Sequence, residues 1–157
     1  MQIRKGLPSD AIEASTVLQR SIKELCRADH RDDVGKVAAW TANKTPQEWL
    51  AWLGQDGVSI YVAVLESRIA GVGAVTTSGE IRLNYVSPAA RFSGVSKALV
   101  AFMEADARAH CATRCTLEST KTADNFYRAA GYKKINLGQE AGGWMAKTLP
   151  EQQSRLS

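Results

Sequence analysis

The chain has 157 residues, 45% hydrophobic and 23% charged, with 20 basic against 16 acidic side chains and a net charge of +4. That length suits one domain with one ordinary core, so residues 1–149 read as a single domain and 150–157 as a loose tail. No apolar run approaches the ~18 residues that cross a bilayer, no basic-then-apolar leader opens the chain, and basic and acidic residues are interspersed; these features speak against membrane and nucleic-acid partners and predict a cytoplasmic protein.

Cys26, Cys111 and Cys115 are an odd set, and the C-x-x-x-C pair has no histidines at metal-ligand spacing, which predicts reduced structural thiols and no metal. Taken in order, Ile3 opens a short strand. Asp10-Ala-Ile-Glu13 then pairs a cap residue with a glutamate ahead of apolar Ala14, Leu18, Ile22 and Leu25, which predicts a first helix. Arg27 to Gly35 reads as a loosened polar stretch, with Asp29, Asp32 and Asp33 as solvated charges and His30 as a surface or capping histidine.

Thr45-Pro46-Gln47-Glu48 combines a threonine cap, proline at the first helical position and a capping-box glutamate. A short helix follows, carrying Trp49 and closing at Gly54. Ser59–Leu65, Ile69–Val75 and Glu80–Val86 are strand-like runs separated by turns at Glu66-Ser67-Arg68 and Ser78-Gly79. A third helix runs from Gly94 to about His110, a buried strand covers Cys115–Glu118, and a fourth helix spans Thr122–Ala130 before Gly131. Strands near Tyr132–Ile135 and Trp144–Leu149 complete a β-α-α-β-β-β-α-β-α-β-β order, a mixed sheet with helices on both faces.

Within this order, Val86-Ser-Pro-Ala-Ala-Arg91-Phe-Ser-Gly94-Val-Ser96-Lys97 breaks a strand at a proline and restarts as a helix through small residues. Small side chains at a helix start leave its free N–H groups accessible to a phosphate-like anion. The competing reading is close helix-to-sheet packing.

The element order and three motifs resemble the GCN5-related N-acetyltransferase (GNAT) family. The resemblance covers nearly the whole chain and implies a three-layer α/β/α fold of the α+β class, whose central sheet is mixed and mostly antiparallel. It further implies an N-acetyltransferase with acetyl-CoA as co-substrate, passing acetyl to a primary amine by direct attack in a ternary complex. Arg91-Phe92-Ser93-Gly94-Val95-Ser96 is similar to the family's pyrophosphate loop, with serine at the last small position, and Lys97 adds positive charge.

The strand Glu80–Val86 corresponds to the one that splays from its neighbour around Thr116 to Ser119 and admits pantetheine, with backbone contacts from Tyr85 and Val86. Ala123-Asp-Asn-Phe126-Tyr127-Arg-Ala-Ala-Gly131-Tyr132 is similar to the C-terminal motif whose tyrosine, here Tyr127, assists the departing CoA thiolate. A family asparagine beside pantetheine corresponds by spacing to Thr120.

A lysine-type amine of pKa near 10.4 costs about 4.6 kcal/mol to deprotonate at pH 7, so such an acceptor needs a base. Glu80 and Glu118, beside the central strands, are the candidates. The acceptor, a small-molecule or peptide amine, would lie near the first two helices, where Trp40 and Trp52 can line a pocket or simply serve the core. A homodimer is possible by analogy with the family. A reading from another class is a non-catalytic acyl-CoA-binding sensor or interaction module.

Overall fold

The computed structural model describes residues 1–136 and 143–151. The expected tail at 150–157 falls outside them from residue 152 onward. No described helix is long and apolar enough to cross a membrane.

Strand β1 (Gln2–Lys5) leads through a short turn into helix α1 (Ala11–Leu25). The expected capping box does not form: the Asp10 carboxylate turns back to accept from Arg4 at 2.8 and 2.9 Å and from the Leu7 N–H at 2.8 Å. Glu13 instead accepts from the Ile69 N–H at 2.6 Å, tying α1 to a strand far along the chain. An arginine fork is a stronger partner for a carboxylate than one backbone amide, so the local cap loses.

The stretch expected to be loose is mostly helical, with α2 (Arg27–His30) and α3 (Val34–Thr41). Asp33 caps α3 by accepting from the Lys36 N–H at 2.9 Å. His30 is buried rather than superficial, only 2% exposed. Its Nδ1 accepts from the Asp32 N–H at 3.0 Å and its Nε2 faces the Ile22 carbonyl at 2.8 Å, a pairing that uses both ring nitrogens as the Nε2–H tautomer. Helix α4 (Pro46–Leu53) starts as expected, with Thr45 accepting from the Glu48 N–H at 3.1 Å.

Strands β2 (Val58–Leu65), β3 (Arg68–Thr76) and β4 (Ile81–Val86) join β1 in an antiparallel sheet of order β1-β2-β3-β4. Helix α5 (Val95–Ala109) follows, then β5 (Arg114–Glu118), α6 (Asp124–Ala129), β6 (Lys133–Lys134) and β7 (Trp144–Thr148). The last three strands pair antiparallel in the order β5-β7-β6. Two expected elements are shorter than their sequence patterns: the fourth helix begins at Asp124 and the strand near Tyr132–Ile135 keeps only two residues.

Helices cover both faces, as the α/β/α reading requires. One core packs Val95, Leu99 and Met103 of α5 against Leu117, Tyr127 and Met145. The other packs Leu18 of α1 and Trp49 of α4 against Val62, Val72 and Leu83. Trp49 is fully buried, its indole N–H donating to the Leu7 carbonyl at 2.9 Å.

The two half-sheets meet at one parallel bridge, Glu80 with Thr116, where the Thr116 N–H donates to the Gly79 carbonyl at 2.9 Å. Glu80 is therefore the hinge point, and β4 itself begins at Ile81. Past this bridge β4 and β5 are the facing edges of separate sheets, each with unpaired strand groups turned toward the gap.

Candidate active site

The gap between β4 and β5 opens into a cavity of about 310 Å³. Its walls bring together segments far apart in sequence: Cys26 just after α1, Asn84 to Val86 of β4, Gly94 to Lys97 at the start of α5, Leu117 and Glu118 of β5, and Tyr127 of α6. Arg91, Phe92 and Thr120 also line it, whereas Ser93 does not and donates its hydroxyl to the Ala90 carbonyl.

At the mouth, Gly94 takes φ +79 and a Cβ there would meet nothing within 4 Å. Glycine therefore serves the left-handed backbone while leaving the space before α5 open. The first bond of α5 is from the Ala98 N–H to the Gly94 carbonyl, 3.1 Å, and no side chain caps the helix. The N–H groups of Val95, Ser96 and Lys97 are thus unused by the helix, and with its dipole they offer an anion site. Phe92 also takes a left-handed φ of 66°, is 92% exposed, and lies under the Arg91 guanidinium at 4.7 Å.

Deeper in the cleft, Tyr127 is held edge-on by Phe126 and Tyr132, with ring centroids 5.2 and 5.7 Å away. Burial pushes its hydroxyl up to about 12, against an opposing hydrogen bond from Asn84. That bond runs from Asn84 Nδ2 to the phenol oxygen at 3.0 Å. Asn84 escapes a reading by pattern because asparagine is depleted in strands and an isolated amide carries no motif.

A second cavity of about 480 Å³ adjoins the first, sharing Ile81, Arg82, Tyr85, Glu118 and Thr120 as walls. Trp40 and Trp144 line it together with Asp29 and Glu80. The Trp40 N–H donates to the Tyr85 hydroxyl at 3.2 Å. Burial raises the Tyr85 phenol above its ordinary range.

The structure brings Glu118 to both cavities, whereas Glu80 reaches only the second and lies 3.8 Å from Arg82. Trp40 and Trp52 do not share a pocket. Trp52, carried by α4, lines a separate cavity of about 200 Å³ with Lys44 and Gln55.

Asp29 is not the free loop charge expected of it. It accepts from the Lys121 N–H at 2.6 Å, the Thr122 N–H at 3.2 Å and the Thr122 hydroxyl at 2.7 Å, pinning the loop that carries Thr120. A contact across 92 residues has no local signature. Cys26 is buried and its thiol is pushed up to about 11, mainly by burial, which leaves little thiolate to act as a nucleophile. Among the described residues no three His, Cys, Asp or Glu side chains gather into a metal-binding group.

Two splayed half-sheets, a helix N-terminus at the mouth and a buried tyrosine inside define an acyltransferase architecture. The family model for the acetyltransferase (GNAT) domain matches residues 26–147, and the chain belongs to that family. Among solved structures, a GCN5-related N-acetyltransferase from Rhodopseudomonas palustris is 26% identical, with a TM-score of 0.81 over 94% of this chain and 95% of that one. The PaiA N-acetyltransferase from Thermoplasma acidophilum, solved in complex with coenzyme A, is 17% identical with a TM-score of 0.82 over 94% and 98%. An aminoglycoside 6'-N-acetyltransferase complexed with coenzyme A is 15% identical with a TM-score of 0.74 over 98% and 99%. No curated protein matches significantly.

Proposed function

We propose that the protein is an N-acetyltransferase that moves an acetyl group from acetyl-CoA to a primary amine by direct attack in a ternary complex. The observation that carries this reading is one cavity lined both by the start of α5 and by Tyr127, so an anion held at its mouth places a connected reactive group beside the phenol. Residues 1–149 act as one catalytic domain.

The thioester supplies an activated acyl carbon and a thiolate leaving group. Val95, Ser96 and Lys97 hold the pyrophosphate through their backbone N–H groups, the helix dipole adding roughly 0.3 to 2 kcal/mol per charge. Arg91 and Lys97 contribute attraction that salt weakens. Tyr85 and Val86 present backbone groups along the open edge of β4, to which the pantetheine amides add as a further strand, with Thr120 across the gap.

Tyr127 faces the departing sulfur. With burial holding its hydroxyl up at about 12, above the ordinary phenol value near 10, it gives up its proton reluctantly. Hydrogen bonding to the developing thiolate, rather than full donation, is therefore its contribution. The amine enters through the second cavity, where Trp40, Tyr85 and Trp144 offer aromatic walls. Glu118, common to both cavities, is better placed than the Arg82-paired Glu80 to take its proton.

Acetyl-CoA should raise the melting temperature. At 100 times its Kd a ligand of the native state contributes about 2.7 kcal/mol, or roughly 5 to 11 °C for a chain this size. No shift at millimolar acetyl-CoA would remove the reading. Free-thiol release is then measured with a panel of n-butylamine, 1,4-diaminobutane, an aminoglycoside, an alanine-initiated peptide and Nα-acetyl-lysine methyl ester. Release with none of them would leave an acyl-CoA-binding module.

The loop bearing Thr120 gives a separate check. Asp29→Ala removes the acceptor of three hydrogen bonds to residues 121 and 122, so the donor KM should rise several-fold while kcat changes less than about twofold. Steady-state kinetics at saturating amine reads this, and a fall in kcat with constant KM would contradict it.

A further inference from the structure

Asn84 has an arrangement that stability does not explain. It sits in β4, where its Nδ2 donates to the Tyr127 hydroxyl at 3.0 Å while its Oδ1, sealed from solvent, has no hydrogen-bond partner among the described residues. Asn84 is half-buried on the cleft wall, yet its amide oxygen is sealed, and a sealed amide oxygen with no partner costs free energy that a leucine of similar volume would not.

The polarity of the bond matters more than its existence. The phenol oxygen accepts from Asn84, so the phenol keeps its own proton for another partner. Phe126 and Tyr132 fix the tilt of the Tyr127 ring by edge-on contacts, but neither touches the hydroxyl rotor. Asn84 occupies a lone-pair direction of the phenol oxygen, which steers the O–H vector away from β4 and toward the open cleft both residues line. The same N–H also faces the oxygen whose negative charge grows as its proton shifts outward, so it stabilises the shift.

We propose that Asn84 is a positioning residue for Tyr127: it sets the direction of the phenol proton, favours its partial transfer to the leaving thiolate, and is kept at a cost to stability. This rests on the reading of Tyr127 as the group that assists the leaving thiolate. No atom of Asn84 need touch either substrate.

The test is a double-mutant cycle with Asn84→Leu and Tyr127→Phe, measuring thiol release from acetyl-CoA with the fastest amine of the panel, together with melting temperatures. Asn84→Leu alone is expected to lower kcat about tenfold with donor KM unchanged within about twofold, and to leave the melting temperature equal to or above that of the parent. In the Tyr127→Phe background it should change kcat by less than about twofold, because the group it positions is gone.

The inference is overturned if Asn84→Leu leaves kcat unchanged, if it lowers kcat equally in both backgrounds, or if the variant is less stable or fails to fold. An unchanged kcat in Tyr127→Phe itself overturns instead the parent reading of that tyrosine. A loss confined to KM assigns Asn84 to binding and also ends the proposal.

Discussion

Tyr127→Phe is expected to lower kcat about tenfold or more while leaving the affinity for acetyl-CoA within about twofold, since it deletes one oxygen deep in the cleft and no part of the cradle. Packing should survive. The ring keeps its edge contacts with Phe126 and Tyr132, and what is lost is the bond from Asn84. Calorimetric titration of the variant with acetyl-CoA separates the two effects, and an unchanged kcat removes the tyrosine from the chemistry.

The pH dependence carries an independent sign. Burial raises the phenol to about 12, so it stays protonated across the working range, and no loss of rate attributable to it should occur up to about pH 10. A descending limb near pH 8 to 9 that vanishes in Tyr127→Phe would contradict this placement. Tyr85→Phe is the internal control. Its side chain also lines the cleft and is half-buried, but its hydroxyl is held by Trp40 on the acceptor side, so its loss should act on the amine KM more than on kcat.

Most of what positions the site was readable from short-range pattern. The threonine cap before α4, the small-residue start of α5, and the strand-turn-strand alternation of β2 to β4 are local signals, and the structure keeps them. The turn at Glu66 and Ser67 takes positive φ at both residues, 51° and 63°, as a two-residue hairpin demands. Tyr127 and the Gly94 loop meet in one cavity although 33 positions separate them, which the motif resemblance anticipates and periodicity does not.

What escaped pattern was decided at long range. Asp10 looked like a cap because a carboxylate before an apolar repeat usually is one, but Arg4 reaches it with a two-pronged bond and wins. Asp29 looked solvated because its partners lie in the Thr120 loop, on another element altogether. Arg27 to Gly35 looked loose for its polarity, yet His30 buries itself between Ile22 and Trp40 and closes a helical turn. Each residue type was compatible with two environments, and only tertiary contacts chose.

The hinge of the cleft makes the sharpest stability prediction. Gly79 takes φ +95, and a Cβ added there would lie 2.2 Å from the Arg114 carbonyl oxygen, a backbone atom that no rotamer change can remove. Gly79→Ala therefore adds left-handed strain of about 1 to 3 kcal/mol to overpacking of about 1 to 3 kcal/mol. A total of roughly 2 to 6 kcal/mol corresponds to a melting temperature lower by about 5 to 20 °C. Gly57→Ala separates the contributions. Gly57 has a comparable φ of +75, but its nearest neighbour to a new Cβ is the Thr77 hydroxyl at 3.8 Å, so only strain applies and the drop should be the smaller. Because Gly79 supplies the carbonyl that Thr116 binds at the junction of the half-sheets, its replacement wedges β4 from β5 where the cleft narrows. Donor affinity should fall along with stability in Gly79→Ala and stay unchanged in Gly57→Ala; equal losses of melting temperature in the two variants would show that the close approach of the half-sheets carries no energy of its own.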